Sequence, residues 1–140
     1  VDPQRNITLY RALTTTMRKG LVASAHDCSD GGLATALVEC CFGIDSGASI
    51  DISELQAYDA NLNTWGALFS ESLGRILVSV TPENTELFER MMSGLACTKI
   101  GIVGDGDDLV ISNHGTTVLV ESIEELRSAW KGTLDGGGPK

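Results

Sequence analysis

The sequence predicts an α/β domain of the α+β kind, a mixed sheet with late antiparallel hairpins that is covered by helices. Three observations carry this. Helical and strand periodicities alternate between Ile7 and Leu95, which brings helices onto a sheet. A polar turn with two glycines, Gly31 and Gly32, joins an apolar strand to a helix. After Lys99, short β-rich runs are separated only by turn residues, the signature of hairpins.

Taken in order, Ile7, Tyr10, Leu13, Met17 and Leu21 recur at helical spacing and predict a first helix over residues 6–19, closed by Gly20. Leu21 to Ala25 reads as a strand. The turn from His26 to Gly32 follows, and Leu33, Ala36, Leu37, Cys40 and Cys41 form a second helical stripe that Ser29 or Asp30 is placed to N-cap and Gly43 to end. Ala48 to Ile52 alternates as a strand does, with Ile50 and Ile52 on one face and Asp51 on the other. Trp65, Leu68 and Phe69 mark a short helix within Leu55 to Phe69. Arg75 to Val80 is a strand, and Thr81-Pro82-Glu83 opens a helix with a cap, a proline in its first turn and an acid near the positive dipole end. Phe88, Met91, Met92 and Leu95 are its buried stripe.

Lys99 to Val103 and Leu109 to Ser112 flank the turn Gly104 to Asp108, and Asn113-His114-Gly115 leads into Thr116 to Val120, so these three strands are expected as one antiparallel meander. Ser122-Ile123-Glu124-Glu125 is a capping box ahead of a last helix with Ile123, Leu126 and Trp130 on its face. One domain over residues 1–134 and a disordered glycine-rich tail, 135–140, complete the reading, with Leu33, Leu37, Ile50, Val78, Val80, Phe88 and Ile100 in one core.

Composition narrows function by exclusion. The chain of 140 residues is 42% apolar and 21% charged and has no apolar run long enough to cross a bilayer, so no membrane role is expected. A net charge of −9 opposes nucleic-acid binding, because Arg5, Arg11, Arg18 and Lys19 are spread along one helix. Cys28, Cys40, Cys41 and Cys97 lack zinc-ligand spacing and read as reduced thiols in a cytoplasmic protein. Cys28 beside His26 and Asp27 does not make a nucleophile, since a nucleophile and its base converge in space and not along the chain. The start at Val1, without an initiating Met, reads as a fragment or a processed start.

Two segments offer chemistry. In His26-Asp27-Cys28-Ser29-Asp30-Gly31-Gly32-Leu33 a turn opens a helix and leaves backbone N–H groups open to a close ligand, which suits a phosphate; the plain alternative is a capped helix packed tightly on the sheet. In Leu68-Phe69-Ser70-Glu71-Ser72-Leu73-Gly74-Arg75, Arg75 suits a carboxylate or phosphate and Glu71 a ribose hydroxyl or metal; the alternative is a surface turn with one Glu-Arg pair. No P-loop occurs. Asp105 to Asp108 lacks the ligands of a calcium loop at Leu109 and Thr116, and His114 reads as a solvated turn residue.

At these segments the chain resembles the phosphoribosylformylglycinamidine synthases, in the C-terminal domain type shared by the aminoimidazole ribonucleotide synthetase superfamily. The likeness extends through Ser24 to Ala34, Leu68 to Ser72 with Arg75, and Ile123 to Trp130. It implies a part of an ATP- and magnesium-dependent ligase that phosphorylates the formamide oxygen of formylglycinamide ribonucleotide and lets glutamine-derived ammonia displace the phosphate. In the family's working copy the first motif reads Gln-Asp-x-Gly-Ala-Gly-Gly and the second Ser-Glu-Ser-Gln-Glu-Arg. Here His26 stands for that Gln, and Leu73 and Gly74 for the Gln and Glu, departures that resemble the second copy, whose cleft holds a nucleotide without turning it over.

Carried over by the resemblance, His26, Asp27, Ser29, Asp30, Gly31, Gly32, Glu71, Ser72 and Arg75 bind substrate or nucleotide, and Asp51 helps to hold magnesium. None is assigned a catalytic step, and the isolated chain is expected to be inactive. The implied partners are an ATP-binding N-terminal domain on the same chain and, in the small form of the synthase, separate glutaminase and small bridging subunits. The same elements fit other members of the superfamily, a thiamine-monophosphate kinase or a hydrogenase-maturation protein, and also a noncatalytic nucleotide-binding module.

Overall fold

The computed structural model describes residues 3–57 and 62–134. The expected tail and part of the Leu55 to Phe69 segment lie outside the described residues. The elements run α1 (Pro3–Arg18), β1 (Ser24–Asp27), α2 (Gly32–Ile44), β2 (Ala48–Asp51), a 3-10 turn (Ser53–Ala57), α3 (Thr64–Phe69), β3 (Ile76–Ser79), α4 (Pro82–Met92), β4 (Gly101–Val103), β5 (Asp108–Asn113), β6 (Thr116–Ser122) and α5 (Ile123–Leu134). The mixed α+β class holds.

The sheet does not form as one. β1 and β3 make a two-stranded antiparallel pair, and a separate four-stranded sheet has the order β4-β2-β5-β6. The expected meander is therefore corrected: β2 lies between β4 and β5, antiparallel to the first and parallel to the second, and only β5 and β6 form a hairpin. The cause lies in the connection after α2. Gly47 N donates to Gly106 O, Gly104 N to Gly47 O and Ser46 Oγ to Gly104 O, so the Gly104 to Asp108 turn wraps over the start of β2 and sends its two strands to either side.

The single expected core likewise divides. Leu33, Leu37 and Ile50, with Ile100 at the margin, belong to a large cluster around Ile52, Ala67, Leu109 and Ile111. Phe88, Val78 and Val80 belong to a second cluster with Leu13, Leu21 and Met92. The division follows from the two sheets. α2 and α5 share the large cluster with the four-stranded sheet, where Ala48 and Ile50 pair with Leu109 and Ile111 on one buried face, while α1 and α4 pack against each other in the second cluster with Ile76 and Val78; α2 also touches β1 and β3, and Leu77 of β3 packs with the large cluster.

Local chemistry explains most element ends. α1 closes in a Schellman motif, with Gly20 at φ 71°, Gly20 N donating to Met17 O and Leu21 N to Thr16 O. Its buried stripe is rotated from the expected one: Leu13 and Thr16 are buried with Leu9 and Ala12 beside them, while Ile7, Tyr10 and Met17 keep about 40% of their surface exposed, because α1 packs chiefly against α4. The forward half of the Ser122 capping box forms, with Glu125 N donating to Ser122 Oγ, while the Glu125 carboxylate accepts from that hydroxyl and not from the Ser122 N–H. β1 begins at Ser24, three residues later than expected, since its ladder with β3 pairs Ser24 with Ser79 and Asp27 with Ile76. That register releases Leu21 and Val22 to pack against α4 and takes His26 and Asp27 onto the strand.

Candidate functional site

The two motifs meet. Cys28 N donates to Arg75 O at 3.0 Å, extending the β1–β3 ladder by one bond into both turns. Gly31 N donates to Glu71 Oε1 at 3.0 Å across 40 residues of sequence. Between these bonds the backbones press together, because a Cβ on Gly32 would stand 2.7 Å from Ser70 O and 2.8 Å from Leu68 O. Gly31 and Gly32 both hold positive φ, 76° and 66°, where side chains are strained, so this approach requires glycine twice over. The first residue of α2 thus sits directly on the end of α3.

The expected side-chain cap on α2 is absent. Gly31 holds the N-cap position in the left-handed region and neither Ser29 nor Asp30 caps it, since the chain bends so that Gly32 N donates to Ser29 O and the Glu71 carboxylate takes the Gly31 donor. Ser29, Asp30 and Asp27 are left exposed on the turn, and Ser72 is exposed on its neighbour.

Arg75 is engaged inside the domain. Its Nη1 donates to Ser70 O at 3.1 Å and Ser70 Oγ at 2.9 Å, and its Nη2 to Ala67 O at 2.7 Å, so the guanidinium covers the last carbonyls of α3, the negative end of that helix. The Glu71–Arg75 pair considered from the sequence does not form. Beyond them Leu73 is 78% exposed, and Gly74, at φ 90°, fits against the Asn6 side chain of α1.

His26 is also engaged, on both sides of its ring. Nδ1 lies 2.7 Å from Asp27 O, which can only accept and so takes the Nδ1 proton, and Nε2 lies 3.1 Å from Glu39 Oε2 on α2. Nothing in the spacing of His26 and Glu39 announced this pair. Beneath the turn Cys28 is buried in the large cluster; burial pushes its thiol up, with Arg75 partly opposing the shift.

Asp51 stands apart from this ledge. It ends β2, exposed, and accepts from Ser53 N at 2.9 Å and from Ser53 Oγ; these bonds hold its carboxyl below the usual carboxylate range. Ser53 Oγ also accepts from His114 N at 2.7 Å, at the turn where His114 takes φ 49°. The beginning of α3 anchors this corner through Asn113 Nδ2 donating to Thr64 Oγ1, whereas the ledge lies at the end of that helix. Among the described residues no group of three or more His, Cys, Asp or Glu side chains is placed to hold a metal ion.

Two further features escaped the sequence reading. Trp65 and Phe69 stack on α3, centroids 6.1 Å apart at 22°, and both are more than half exposed. From the sequence these residues mark a short helix, and their exposed stack is not foreseen. Two surface grooves lie elsewhere, one between α1 and the Gly94 to Ala96 turn and one between α5 and the acids Asp45, Asp107 and Asp108.

Comparison with known proteins supplies the context for this geometry. The family model for AIR synthase related protein, C-terminal domain, matches residues 1–112. The phosphoribosylformylglycinamidine synthase subunit PurL of Carboxydothermus hydrogenoformans is 35% identical over 136 residues, 96% of this chain and 18% of that protein. The subunit of the same name from Parafrankia sp. is 38% identical over 136 residues, 96% of this chain and 17% of its own length. The chain therefore spans under a fifth of these relatives. Among solved structures, T. maritima PurL complexed with FGAR overlays 90% of this chain and 21% of that one with a TM-score of 0.79 at 21% identity. T. maritima PurL complexed with ATP overlays 84% of this chain and 21% of that one with a TM-score of 0.76, again at 21% identity. At such identity these overlays establish the fold.

Proposed function

The chain belongs to the AIR synthase related protein family, as its C-terminal domain, and from that premise we propose that it serves as one such domain of a phosphoribosylformylglycinamidine synthase. In this reading the whole enzyme uses ATP and magnesium to convert formylglycinamide ribonucleotide and glutamine-derived ammonia to formylglycinamidine ribonucleotide in the cytoplasm. The observation that carries the reading is the meeting of the Asp27 to Gly32 and Glu71 to Arg75 turns on one ledge at strand and helix ends, where ligand sites in α/β folds gather.

The ledge is one wall of a cleft. Asp27, Ser29, Asp30 and Ser72 are its exposed polar groups, suited to the hydroxyls and amide of a ribonucleotide, and Asp51, at a separate corner, is the acid that joins magnesium when the rest of the enzyme supplies the other ligands. ATP supplies the phosphoryl group when bound. An ATP-binding N-terminal domain on the same chain contributes its phosphate and magnesium ligands, and glutaminase and bridging subunits deliver ammonia. Positioning and charge neutralisation dominate phosphoryl transfer, so half a cleft does not turn over by itself. His26, occupied on both ring nitrogens, supports the further reading that this is the copy that holds a nucleotide without consuming it.

Replacing the matching segment of the C. hydrogenoformans subunit by this chain tests the proposal. A folded chimera is expected to keep FGAR- and ammonia-dependent ATP turnover, with no turnover by the 140-residue chain alone. A folded chimera without that turnover counts against the synthase reading, and magnesium-dependent turnover by the chain alone counts against the half-cleft.

A further inference from the structure

The resemblance makes Glu71 a ligand contact, but its carboxylate faces Gly31. We infer that Glu71 is a positioning residue: it acts through the Gly31 N–H, locking the Asp27 to Gly32 turn against the end of α3 so that the exposed Asp27, Ser29, Asp30 and Ser72 keep a fixed spacing. The inference rests on the reading of this ledge as ligand-facing for its purpose, though not for its geometry.

Four observations converge on it. Gly31 occupies the N-cap of α2, where the helix offers its N–H no acceptor, so that donor needs one from outside the helix. Glu71 Oε1 supplies that acceptor at 3.0 Å, and an anion at this end of a helix is favoured by the helix dipole as well as by the hydrogen bond. Gly31 is held in the left-handed region, a conformation that glycine visits without holding, so the turn needs an external tie. Finally, the segment bearing Glu71 is itself fixed from behind by Arg75, which grips Ser70 and Ala67 and does not compete for the carboxylate. Glu71 is thus aimed by one motif and spent on the other.

The lock gives the ledge its order without packing. Gly32 can approach Ser70 and Leu68 only while the Gly31 peptide keeps its orientation, and Glu71 is the side chain that holds that peptide. Loss of the carboxylate is expected to loosen the turn while leaving both hydrophobic clusters in place, since Glu71 is exposed and belongs to neither.

Amide proton exchange on the isotope-labelled, ligand-free chain tests this for Glu71→Ala and Glu71→Gln. The Gly31 amide is expected to exchange roughly three to ten times faster in Glu71→Ala, as befits one exposed charge-assisted bond, with β5 and β6 amides unchanged. Glu71→Gln, which keeps an acceptor oxygen, is expected to restore most of the protection and to shift the Gly31 amide proton resonance. If Gly31 exchanges equally fast in all three proteins, the lock does not exist. If exchange rises throughout the chain in Glu71→Ala and Gly31 stays unshifted in a folded Glu71→Gln, Glu71 acts on stability and not on the turn, and the inference is overturned. Because no ligand is present, either result stands apart from whether the synthase reading holds.

Discussion

The two halves of the molecule are stabilised differently, and the ledge lies on the seam between them. In the half built on the four-stranded sheet, Ile52, Leu109 and Ile111 have no exposed surface, and buried residues of α2, α3 and α5 pack in the same cluster. In the half built on β1 and β3, every residue of β3 is partly exposed, and two strands alone are marginal without the helices that pack on them, α2 among them. The deep half supplies stability and the shallow half supplies shape. A site at their junction is held by polar ties and close backbone contact, and these can be altered without dissolving a core.

Core truncation gives the largest expected effect. Ile111→Ala should cost about 4 kcal/mol in urea denaturation, because its site in a central strand cannot collapse, whereas Met92→Ala in the shallow cluster should cost about 2 kcal/mol. Equal losses would mean that the two clusters are one cooperative core of uniform depth.

The glycines of the seam come next. Gly32→Ala places a Cβ against two backbone carbonyls at a positive φ and is expected to cost about 2–3 kcal/mol, while Gly20→Ala, at a similar φ but in open space, should cost about 1 kcal/mol. Comparison of the two separates close approach from backbone strain alone. A Gly32→Ala cost no greater than that of Gly20→Ala would show that the ledge has room to give.

A smaller contrast concerns pH. Because Ser53 holds the folded-state Asp51 carboxyl below its usual range, its contribution is present above the unfolded value, about pH 4, and is lost as pH falls through the lower folded value. Asp51→Ala should therefore be less stable than wild type at neutral pH, with the gap closing in acid. A gap that stays constant down to pH 2 would exclude this linkage.

Thiol labelling gives the finest test. Burial pushes the thiols of Cys28, Cys41 and Cys97 up alike, so access decides: Cys97, at the surface, should be alkylated first, and Cys28 and Cys41 should react only as the large cluster opens. Labelling of Cys28 at the Cys97 rate would mean that the turn beneath the ledge is open.

The sequence disclosed the elements better than their neighbours. Stripes such as Leu33, Ala36, Leu37 and Cys41 and the Ser122 cap on the last helix are local patterns, and the structure reproduces them. The position of β2 between β4 and β5 depends on Gly47 meeting Gly104 and Gly106, a pairing across nearly sixty residues that no local period encodes. The two candidate motifs were legible for the same local reason, as polar turns at element ends. Their partners were not: Glu39 beneath His26 and the α3 carbonyls beneath Arg75 are matched by three-dimensional proximity, and neither residue type nor spacing predicts them. Trp65, Leu68 and Phe69 marked the short helix α3, but of the three only Leu68 is buried, because a six-residue helix turns one narrow face, Ala67 and Leu68, to the core.

The insertion of β2 also sets an order of assembly. β5 and β6 are joined by a two-residue turn and can zip together early, but β2 finds a parallel neighbour in β5 and an antiparallel one in β4 only after the intervening chain has been drawn closed. Closing so long a loop delays the event that completes the sheet, so the last strand to lock should be one of the first to be made. Until it does, the edge of β5 that will receive Ala48 to Asp51 lies bare, and newly made chains should be most prone to stick to one another in that interval.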